Sequence, residues 1–187
     1  MRLATRGLAL AGLCAAMVLL LTLLSLPLPS GIGYLNLGDA GVFLCALLFR
    51  NARFGLQGRR AALWAGAAAG LGSALADLLL GFTVYMPISF VVKGLTALCC
   101  AGLLGVGGTA YIDTPASIRV TLPRTPFSGR RCLLAMLPAA PIVPLGYLCF
   151  ELPLYGRLAL ANIPANALQT LLGVGLAYAA GLLVNKK

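Results

Sequence analysis

Two stretches of 22 residues decide the fold: 61–82, AALWAGAAAGLGSALADLLLGF, and 86–107, MPISFVVKGLTALCCAGLLGVG. Each carries one formally charged side chain, Asp77 in the first and Lys93 in the second. A bilayer core about 30 Å thick needs roughly 20 apolar residues in a helix. The two stretches therefore predict a pair of transmembrane helices joined by a short turn.

The rest of the chain has the same character. Hydrophobic residues make up 60% of the 187 and charged residues only 10%, with a mean hydropathy of +0.97. A soluble domain of this size needs more charged surface. The apolar runs lie at 7–26, 38–50, 61–82, 86–107, 132–154 and 161–184. We therefore predict an all-α membrane protein with six transmembrane helices in a single domain, 1–187. The second run is short and is expected either to borrow length from the preceding loop or to lie in a locally thinned region of the membrane.

The first run invites comparison with a secretory signal, because Arg2 and Arg6 precede it and Pro27 to Gly31 could contain a cleavage site. The apolar stretch from Leu8 to Leu26 is longer than the 7–15 residues typical of a signal's apolar region. A retained helix is the favoured interpretation.

The net charge of +10 is explained by topology. With six helices, all but two cations fall at the termini and in the second and fourth loops, on one side of the membrane; the two are Lys93 and Arg157. This is the positive-inside pattern, so both termini are expected in the cytoplasm of a bacterial cell, with the protein multi-pass in its inner membrane. A basic patch for anionic lipid or an acidic partner is a second interpretation. Nucleic acid is not an expected partner.

The composition argues against catalysis. The chain contains no histidine, which removes Ser-His-Asp and Cys-His mechanisms and imidazole metal sites. The six cysteines lie in or beside apolar runs without CxxC spacing and are interpreted as small buried hydrophobes. Gly105, Gly107 and Gly108 are not followed by a phosphate-binding Gly-Lys-Ser/Thr motif. We expect no enzyme, metal or cofactor; an intramembrane enzyme is the least favoured reading.

The remaining polar side chains lie at similar depth, toward the predicted outer ends of five helices. Ionisable groups within apolar segments are costly and suggest function. Since the inner halves of the same helices are almost wholly apolar, the pattern predicts an outward-facing pocket closed below. The candidate ligand-binding residues are Asn36, Asp39, Asp77, Tyr85, Lys93, Glu151, Asn162, Asn166 and Gln169.

Several of these residues have a structural alternative. Asp77 and Lys93 could pair across the hairpin. Asp39 could cap the second helix, and Glu151 could extend to the interface. The amides of the sixth run could hydrogen-bond helices together, and the tyrosines could form an aromatic belt.

Four blocks of the sequence resemble a known family. In order they are Gly33–Asp39, Gly72–Leu79, Lys93–Leu95 and Ile163–Gln169. Together they resemble the substrate-binding S component of an energy-coupling factor (ECF) vitamin transporter, over nearly the whole chain. Within that group they are most similar to the hydroxymethylpyrimidine/pyridoxine-type branch.

The resemblance implies an ECF S-component-like bundle that captures a water-soluble vitamin or precursor from outside for ATP-driven uptake. It also implies that a small-residue surface on the first helix, here Ala11 and Ala15, docks on a transmembrane scaffold subunit joined to two ATPase subunits, with membrane lipid around them. Riboflavin or another vitamin is an alternative ligand, and a non-transport structural membrane protein is the alternative class. The chain departs from the family in a long, arginine-rich inner loop near 108–131 and in lacking tryptophan in its outer half, because Trp64 lies at the inner end of the third run.

Overall fold

The computed structural model describes residues 2–27, 34–50, 58–105 and 129–185. Within these ranges the chain forms seven α helices, one 3₁₀ helix and one two-stranded ribbon. The elements are α1 (Arg2–Leu23), β1 (Ser25–Pro27), β2 (Tyr34–Asn36), α2 (Gly38–Arg50), α3 (Gly58–Leu79), α4 (Met86–Gly105), α5 (Arg130–Ala139), α6 (Ile142–Tyr155), the 3₁₀ helix (Gly156–Asn162) and α7 (Ile163–Asn185). Most of the loop expected near 108–131 lies outside the described residues.

The helices follow the apolar runs closely. The second run coincides with α2, whose 13 residues span roughly 20 Å at 1.5 Å per residue. The described part of the connection before α2 forms an antiparallel ribbon, in which Leu26 pairs with Leu35. The first helix is an integral part of the bundle, because Cys14 and Val18 are buried in the hydrophobic core.

The fifth run differs from the expectation of one continuous helix. It is divided into α5 and α6 at Ala140 and Pro141. Proline has no backbone N–H, so Pro141 cannot donate the hydrogen bond that would continue α5. At the other end of α6, Gly156 has φ +58° and begins the 3₁₀ helix, a conformation that glycine adopts without steric penalty.

Within the described ranges, three helical stretches are long and apolar enough to cross a membrane. They are Arg59–Leu79, Met86–Gly105 and the 54-residue stretch Arg130–Leu183, which comprises α5, α6, the 3₁₀ helix and most of α7; Gly7–Leu23 is a shorter apolar helix. The last stretch turns back on itself, because its α6 and α7 parts pack against each other. The all-α membrane class is therefore supported, and the number of six crossings stays a prediction.

Glycines let the central helices approach closely. A Cβ at Gly66 would lie 2.9 Å from the carbonyl oxygen of Gly94, and one at Gly70 would lie 2.6 Å from that of Phe90, so α3 and α4 touch backbone to backbone. A Cβ at Gly72 would lie 2.4 Å from the carbonyl oxygen of Ala15 on α1. In lipid, where apolar surfaces gain little by leaving the solvent, such close contact favours helix association.

The bundle has two chemically different ends. The ribbon end is defined by the β1–β2 ribbon, the α3–α4 turn and the 3₁₀ helix. The arginine end is defined by Arg50, Arg59, Arg60, Arg130 and Arg131 at the ends of α2, α3 and α5. The side chains that fill the core toward the arginine end are apolar, with Phe43, Phe49 and Met136 among the largest fully buried ones. The buried polar side chains gather toward the ribbon end.

Candidate ligand-binding site

Asp39 connects three helices near the ribbon end. Its side chain is 1% exposed and forms an ion pair with Lys93 of α4. Its Oδ2 also accepts a hydrogen bond from Gln169 Nε2 at 3.1 Å and has the Thr170 hydroxyl at 2.9 Å, both from α7. A buried carboxylate needs this many donors to offset its desolvation. The sequence did not indicate that Lys93 has its partner on α2. The Asp39 carboxylate therefore joins α2 to both α4 and α7.

The helix start that Asp39 was considered to cap is capped by Asn36. Asn36 Oδ1 accepts the Gly38 N–H at 2.6 Å. The Asn36 N–H in turn donates to Gln169 Oε1 at 2.8 Å, so one amide side chain of α7 holds both β2 and Asp39. Asn36 therefore contributes its backbone to the contact with α7, while its side chain organises the start of α2.

Close packing fixes α7 against this point. A Cβ at Gly173 would lie 2.7 Å from Asp39 Cβ and 2.9 Å from the Ala40 backbone nitrogen. Gly173 lies one turn after Gln169 and shares its helix face. The absence of a side chain at Gly173 is what lets α7 bring its polar residues onto Asp39.

Glu151 organises a second cluster of polar side chains. Its Oε1 accepts a hydrogen bond from the Tyr85 hydroxyl at 3.2 Å, and its Oε2 accepts one from Asn162 Nδ2 at 2.9 Å. Burial, together with neighbouring Tyr155 and Glu151, raises the pKa of the Tyr85 phenol well above its usual range, so it stays protonated and donates. Glu151 is 3% exposed, so it does not extend to the interface as the alternative interpretation held.

Tyr147 of α6 lies between the two clusters. Its hydroxyl is 2.7 Å from Ser89 Oγ, and the Lys93 ammonium lies 5.4 Å from its ring centroid. Its ring centroid is also 6.3 Å from that of Tyr85, whose hydroxyl donates to Glu151. The ring of Tyr147 is therefore the structural link between the Asp39 and Glu151 clusters.

Aromatic rings line the same region. The Tyr85 ring is 6.3 Å from that of Tyr147 and 5.7 Å from that of Phe150, the latter edge to face. Phe82 also meets Tyr85 edge to face at 6.3 Å. Such arrangements hold rings firmly and suit contact with a planar ligand. The tyrosines are thus more than a belt at the membrane boundary, because Tyr85 is buried and hydrogen-bonded.

Asp77 and Ser73 are two buried polar side chains of α3 near the ribbon end. Asp77 is 3% exposed, and its backbone carbonyl accepts the Phe82 N–H at 2.8 Å, which ends the helix. Ser73 is one turn earlier on the same helix face and is also 3% exposed. Its hydroxyl has no hydrogen-bond partner among the residues that the structure describes. A buried hydroxyl without a partner is unusual and requires an explanation.

Asn166 has a distinctive position on α7. It is one turn from Asn162, which binds Glu151, and one turn from Thr170, which lies on Asp39. Its backbone carbonyl has the Thr170 hydroxyl at 2.8 Å. Its side chain is half-buried, and within the described ranges its amide makes no hydrogen bond. Asn166 is therefore the amide of this face that is available to another molecule.

The expected docking surface of α1 includes both buried and exposed small residues. Ala15 is 8% exposed and its carbonyl lies against α3, while Ala11 is half-buried against the core. The neighbouring row is the exposed one: Gly12 and Ala16 face outward. A Cβ added to Gly12 would meet nothing within 4 Å. Small exposed residues are thus present on α1, one position along from those assigned from the sequence.

Three polar side chains near the clusters, Thr170, Ser89 and Ser73, were not predicted from the sequence as site residues. Hydroxyl side chains are common in apolar helices, where they can hydrogen-bond the preceding turn, so they gave no distinct signal. The spacing of Asn166, Gln169 and Thr170 on one helix face was the available indication.

Taken together, the fold and the clusters define a class: a helical membrane protein with a hydrogen-bonded polar site near one end and an apolar core beyond it. Comparison with known proteins identifies the family. Residues 2–186 match the model of the ECF-type riboflavin transporter S component, and the chain belongs to that family. The chain is a membrane-embedded substrate-binding component for vitamin uptake, and the family is a transporter class rather than an enzyme class.

One relative is similar over most of both chains. An "Uncharacterized protein in gap 3'region" of Pyrococcus woesei is 28% identical over 166 residues, which cover 88% of this chain and 91% of that protein. The family match confirms the resemblance noted in the sequence. It does not single out the hydroxymethylpyrimidine/pyridoxine branch, and riboflavin is supported equally well.

Proposed function

We propose that this chain captures a water-soluble vitamin, or its precursor, at the ribbon end and delivers it for ATP-driven import. The ligand is riboflavin, a hydroxymethylpyrimidine or a B6 vitamer. The ribbon end faces outward, six segments cross a bacterial inner membrane, and both termini are cytoplasmic. The arginines at the opposite end support this orientation through the positive-inside rule.

The observation that carries the proposal is the amide of Asn166. The side chains around it are already engaged: Gln169 and Thr170 with Asp39, and Asn162 with Glu151. A purely structural role would be expected to use Asn166 in the same way. Its half-buried amide lies between the two clusters and can both donate to and accept from a heterocycle.

The proposed site comprises the two clusters, with different roles for their members. Asn166 and the rings of Tyr85 and Tyr147 contact the ligand, while Gln169 and Lys93 position the helices. The full set of site residues is Asn36, Asp39, Asp77, Tyr85, Lys93, Glu151, Asn162, Asn166 and Gln169.

The test is direct binding. The purified protein in nanodiscs is titrated by calorimetry with riboflavin, 4-amino-5-hydroxymethyl-2-methylpyrimidine and pyridoxine. We expect one of them to bind, and Asn166→Ala to weaken that binding about 10- to 100-fold, the effect of losing roughly 1.4–2.7 kcal/mol of hydrogen bonding. Leu168→Ala is the matched control, because Leu168 is 54% exposed and two residues away on the opposite face of α7.

The competing function is a structural membrane protein whose amides only hold helices together. The bonds of Gln169 and Asn162 favour it, since each joins separate elements. It predicts that no vitamin binds and that Asn166→Ala has no effect on uptake by cells that also produce the scaffold and ATPase subunits.

We further propose that α1 docks on the scaffold subunit through its exposed small residues. The family resemblance implies this contact for Ala11 and Ala15, and the exposure of Gly12 and Ala16 supports a closest approach on the adjoining row. Membrane lipid covers the remaining apolar surface.

A further inference from the structure

The first turns of α3 and α5 share a sequence pattern that vitamin binding does not use. The residues are RRAAL at 59–63 in α3 and RRCLL at 130–134 in α5. In both, two exposed arginines precede a buried residue, and an exposed leucine follows one turn after the first arginine. The leucines are Leu63, 53% exposed, and Leu134, 68% exposed. Each helix therefore presents two cations and an apolar side chain on its outer surface.

The two patterns lie at the arginine end of the bundle. Both α3 and α5 pack against α4, and the buried residues that follow the arginine pairs, Ala61 and Cys132, belong to one hydrophobic core. Arg50 of α2 reaches the same region, because a Cβ at Gly105 would collide with its guanidinium. The exposed arginine pairs therefore lie near the point where α4 ends.

The exposed pairs are not neutralised within the part of the chain that the structure describes. None of these four arginines forms an ion pair with another described residue. No acid lies in the first turn of α3 or of α5, and the helix dipole favours acids rather than cations there. The positive-inside rule accounts for cations in the inner loops, but it does not require pairs of them within helical first turns. Orientation and helix stability thus leave these positions unexplained.

The arginine pairs lie at the depth of lipid headgroups. The apolar stretches that are long enough to cross a membrane begin at Arg59 and at Arg130. Trp64, the one tryptophan of the chain, is half-buried one turn after Arg60, and tryptophan is enriched at membrane–water interfaces. The arginines are therefore level with phospholipid phosphates, and the two leucines lie where the acyl chains begin.

The kind of cation also points to phosphate. In segments 50–60 and 106–131 of the sequence, all eight cations are arginine and the one acid is Asp113. Topology depends on charge alone, which lysine supplies equally well. Arginine differs because its planar guanidinium donates two parallel hydrogen bonds to a phosphate group.

We propose that the two arginine–leucine patterns form a binding surface for anionic phospholipid of the phosphatidylglycerol type. The arginine pairs bind the headgroup phosphate, and the leucines contact the acyl chains. An acidic soluble protein is a poorer fit, because Leu63 and Leu134 face the membrane at a depth that such a protein does not reach. This surface is at the opposite end of the bundle from the proposed vitamin site and does not depend on it.

The experiment measures lipid binding to the purified full chain in a neutral detergent. Phosphatidylglycerol and phosphatidylcholine with identical acyl chains are titrated separately, and bound lipid is counted by native mass spectrometry. We expect phosphatidylglycerol to bind about 10-fold more tightly or better, because each arginine near an anionic headgroup adds to the attraction. A micelle has no inner or outer side, so arginines that serve only to orient the chain predict equal binding of the two lipids.

Matched variants test the assignment. Arg59→Gln with Arg60→Gln, and Arg130→Gln with Arg131→Gln, should each remove part of the preference, and the quadruple variant should bind the two lipids equally. Arg157→Gln is the control, because Arg157 is an exposed arginine of the 3₁₀ helix near the ribbon end and should leave the preference unchanged. All five side chains are exposed, so the variants should unfold at the wild-type temperature in lipid-free detergent.

Glycerol 3-phosphate, which carries a phosphate but no acyl chain, distinguishes a lipid surface from a phosphate site. We expect it not to displace phosphatidylglycerol at equal concentration, and displacement would overturn the assignment to lipid. Equal binding of the two lipids overturns the proposal and leaves orientation or an acidic protein partner as the role of the arginines. A preference that survives in the quadruple variant overturns the assignment to these four residues. None of these outcomes bears on vitamin binding at the ribbon end.

Discussion

The ion pair between Asp39 and Lys93 offers the sharpest test of the site's geometry. Both side chains are almost fully buried, at 1% and 5% exposure, so removing one partner leaves the other charge without compensation. Breaking a buried pair in this way costs about 3–5 kcal/mol. Lys93→Met keeps the length of the side chain, and Asp39→Asn keeps its shape.

The structure places each single variant near the lower limit, at about 3 kcal/mol, because neighbours remain. Gln169 and Thr170 still support Asp39 when Lys93 is changed, and the Tyr147 ring still faces Lys93 when Asp39 is changed. The double variant restores charge balance, so it should be no less stable than either single one. The coupling energy is then about 3 kcal/mol, within the range measured for close charge pairs.

The assay is thermal unfolding of the purified protein in detergent. For a chain of this size, 1 kcal/mol shifts Tm by about 2–4 °C, so each single variant should lower Tm by roughly 6–12 °C. The matched comparison is the same set of variants with Asp77→Asn in place of Asp39→Asn. It tests the alternative pairing of Lys93 with Asp77 across the hairpin, which the sequence suggested. We expect weaker coupling of Lys93 to Asp77 than to Asp39. A double variant whose loss equals the sum of the Asp39 and Lys93 losses would refute the pairing.

Two further predictions concern packing and assembly. Gly173→Ala would place a Cβ 2.7 Å from Asp39 Cβ, so it should lower the free energy of unfolding by about 1–3 kcal/mol and weaken ligand binding. The control is Gly175→Ala, because a Cβ added at Gly175 would meet no atom within 4 Å. In the same unfolding assay its stability should be unchanged or slightly raised. Gly12→Leu, on the exposed row of α1, should leave vitamin binding unchanged but reduce co-purification with the scaffold subunit. The control is Leu95→Ala at an exposed leucine of α4, which should leave both binding and co-purification unchanged. If Gly12→Leu co-purifies as well as the wild type, α1 docks through another surface or not at all.

The positions of the helices could be predicted because the start and length of an apolar run can be read directly from the sequence. The second run coincides with α2, and the fourth begins with α4 at Met86. The division of the fifth run was also readable, since Pro138 and Pro141 lie within four residues and each lacks a backbone donor. It was missed because apolar character continues across the break.

The contacts between helices could not be predicted in the same way. Lys93 pairs with Asp39, 54 residues away, because α2 and α4 lie side by side, which depends on the rotation of each helix about its axis. The rotation of α1 about its axis also determines which of its small residues face outward: Ala15 is buried and Ala16 is exposed. In a helix with small residues on two adjacent rows, composition does not distinguish the buried row from the exposed one.

The two ends of the bundle are held together by different forces, and this bears on where a ligand can act. Toward the arginine end and through the middle, α3 and α4 touch through Gly66 and Gly70, and such packing is rigid because backbone atoms cannot be displaced cheaply. At the ribbon end, apart from the Asp39–Lys93 ion pair, the helices are joined by side-chain hydrogen bonds, which average only about 0.6 kcal/mol each inside a membrane protein. A ligand that offers equivalent hydrogen bonds can replace such contacts at little net free energy, as long as the glycine contacts keep the helices in register. Under the proposed function, the ribbon end is therefore the part of the molecule where rearrangement around a vitamin costs the least free energy.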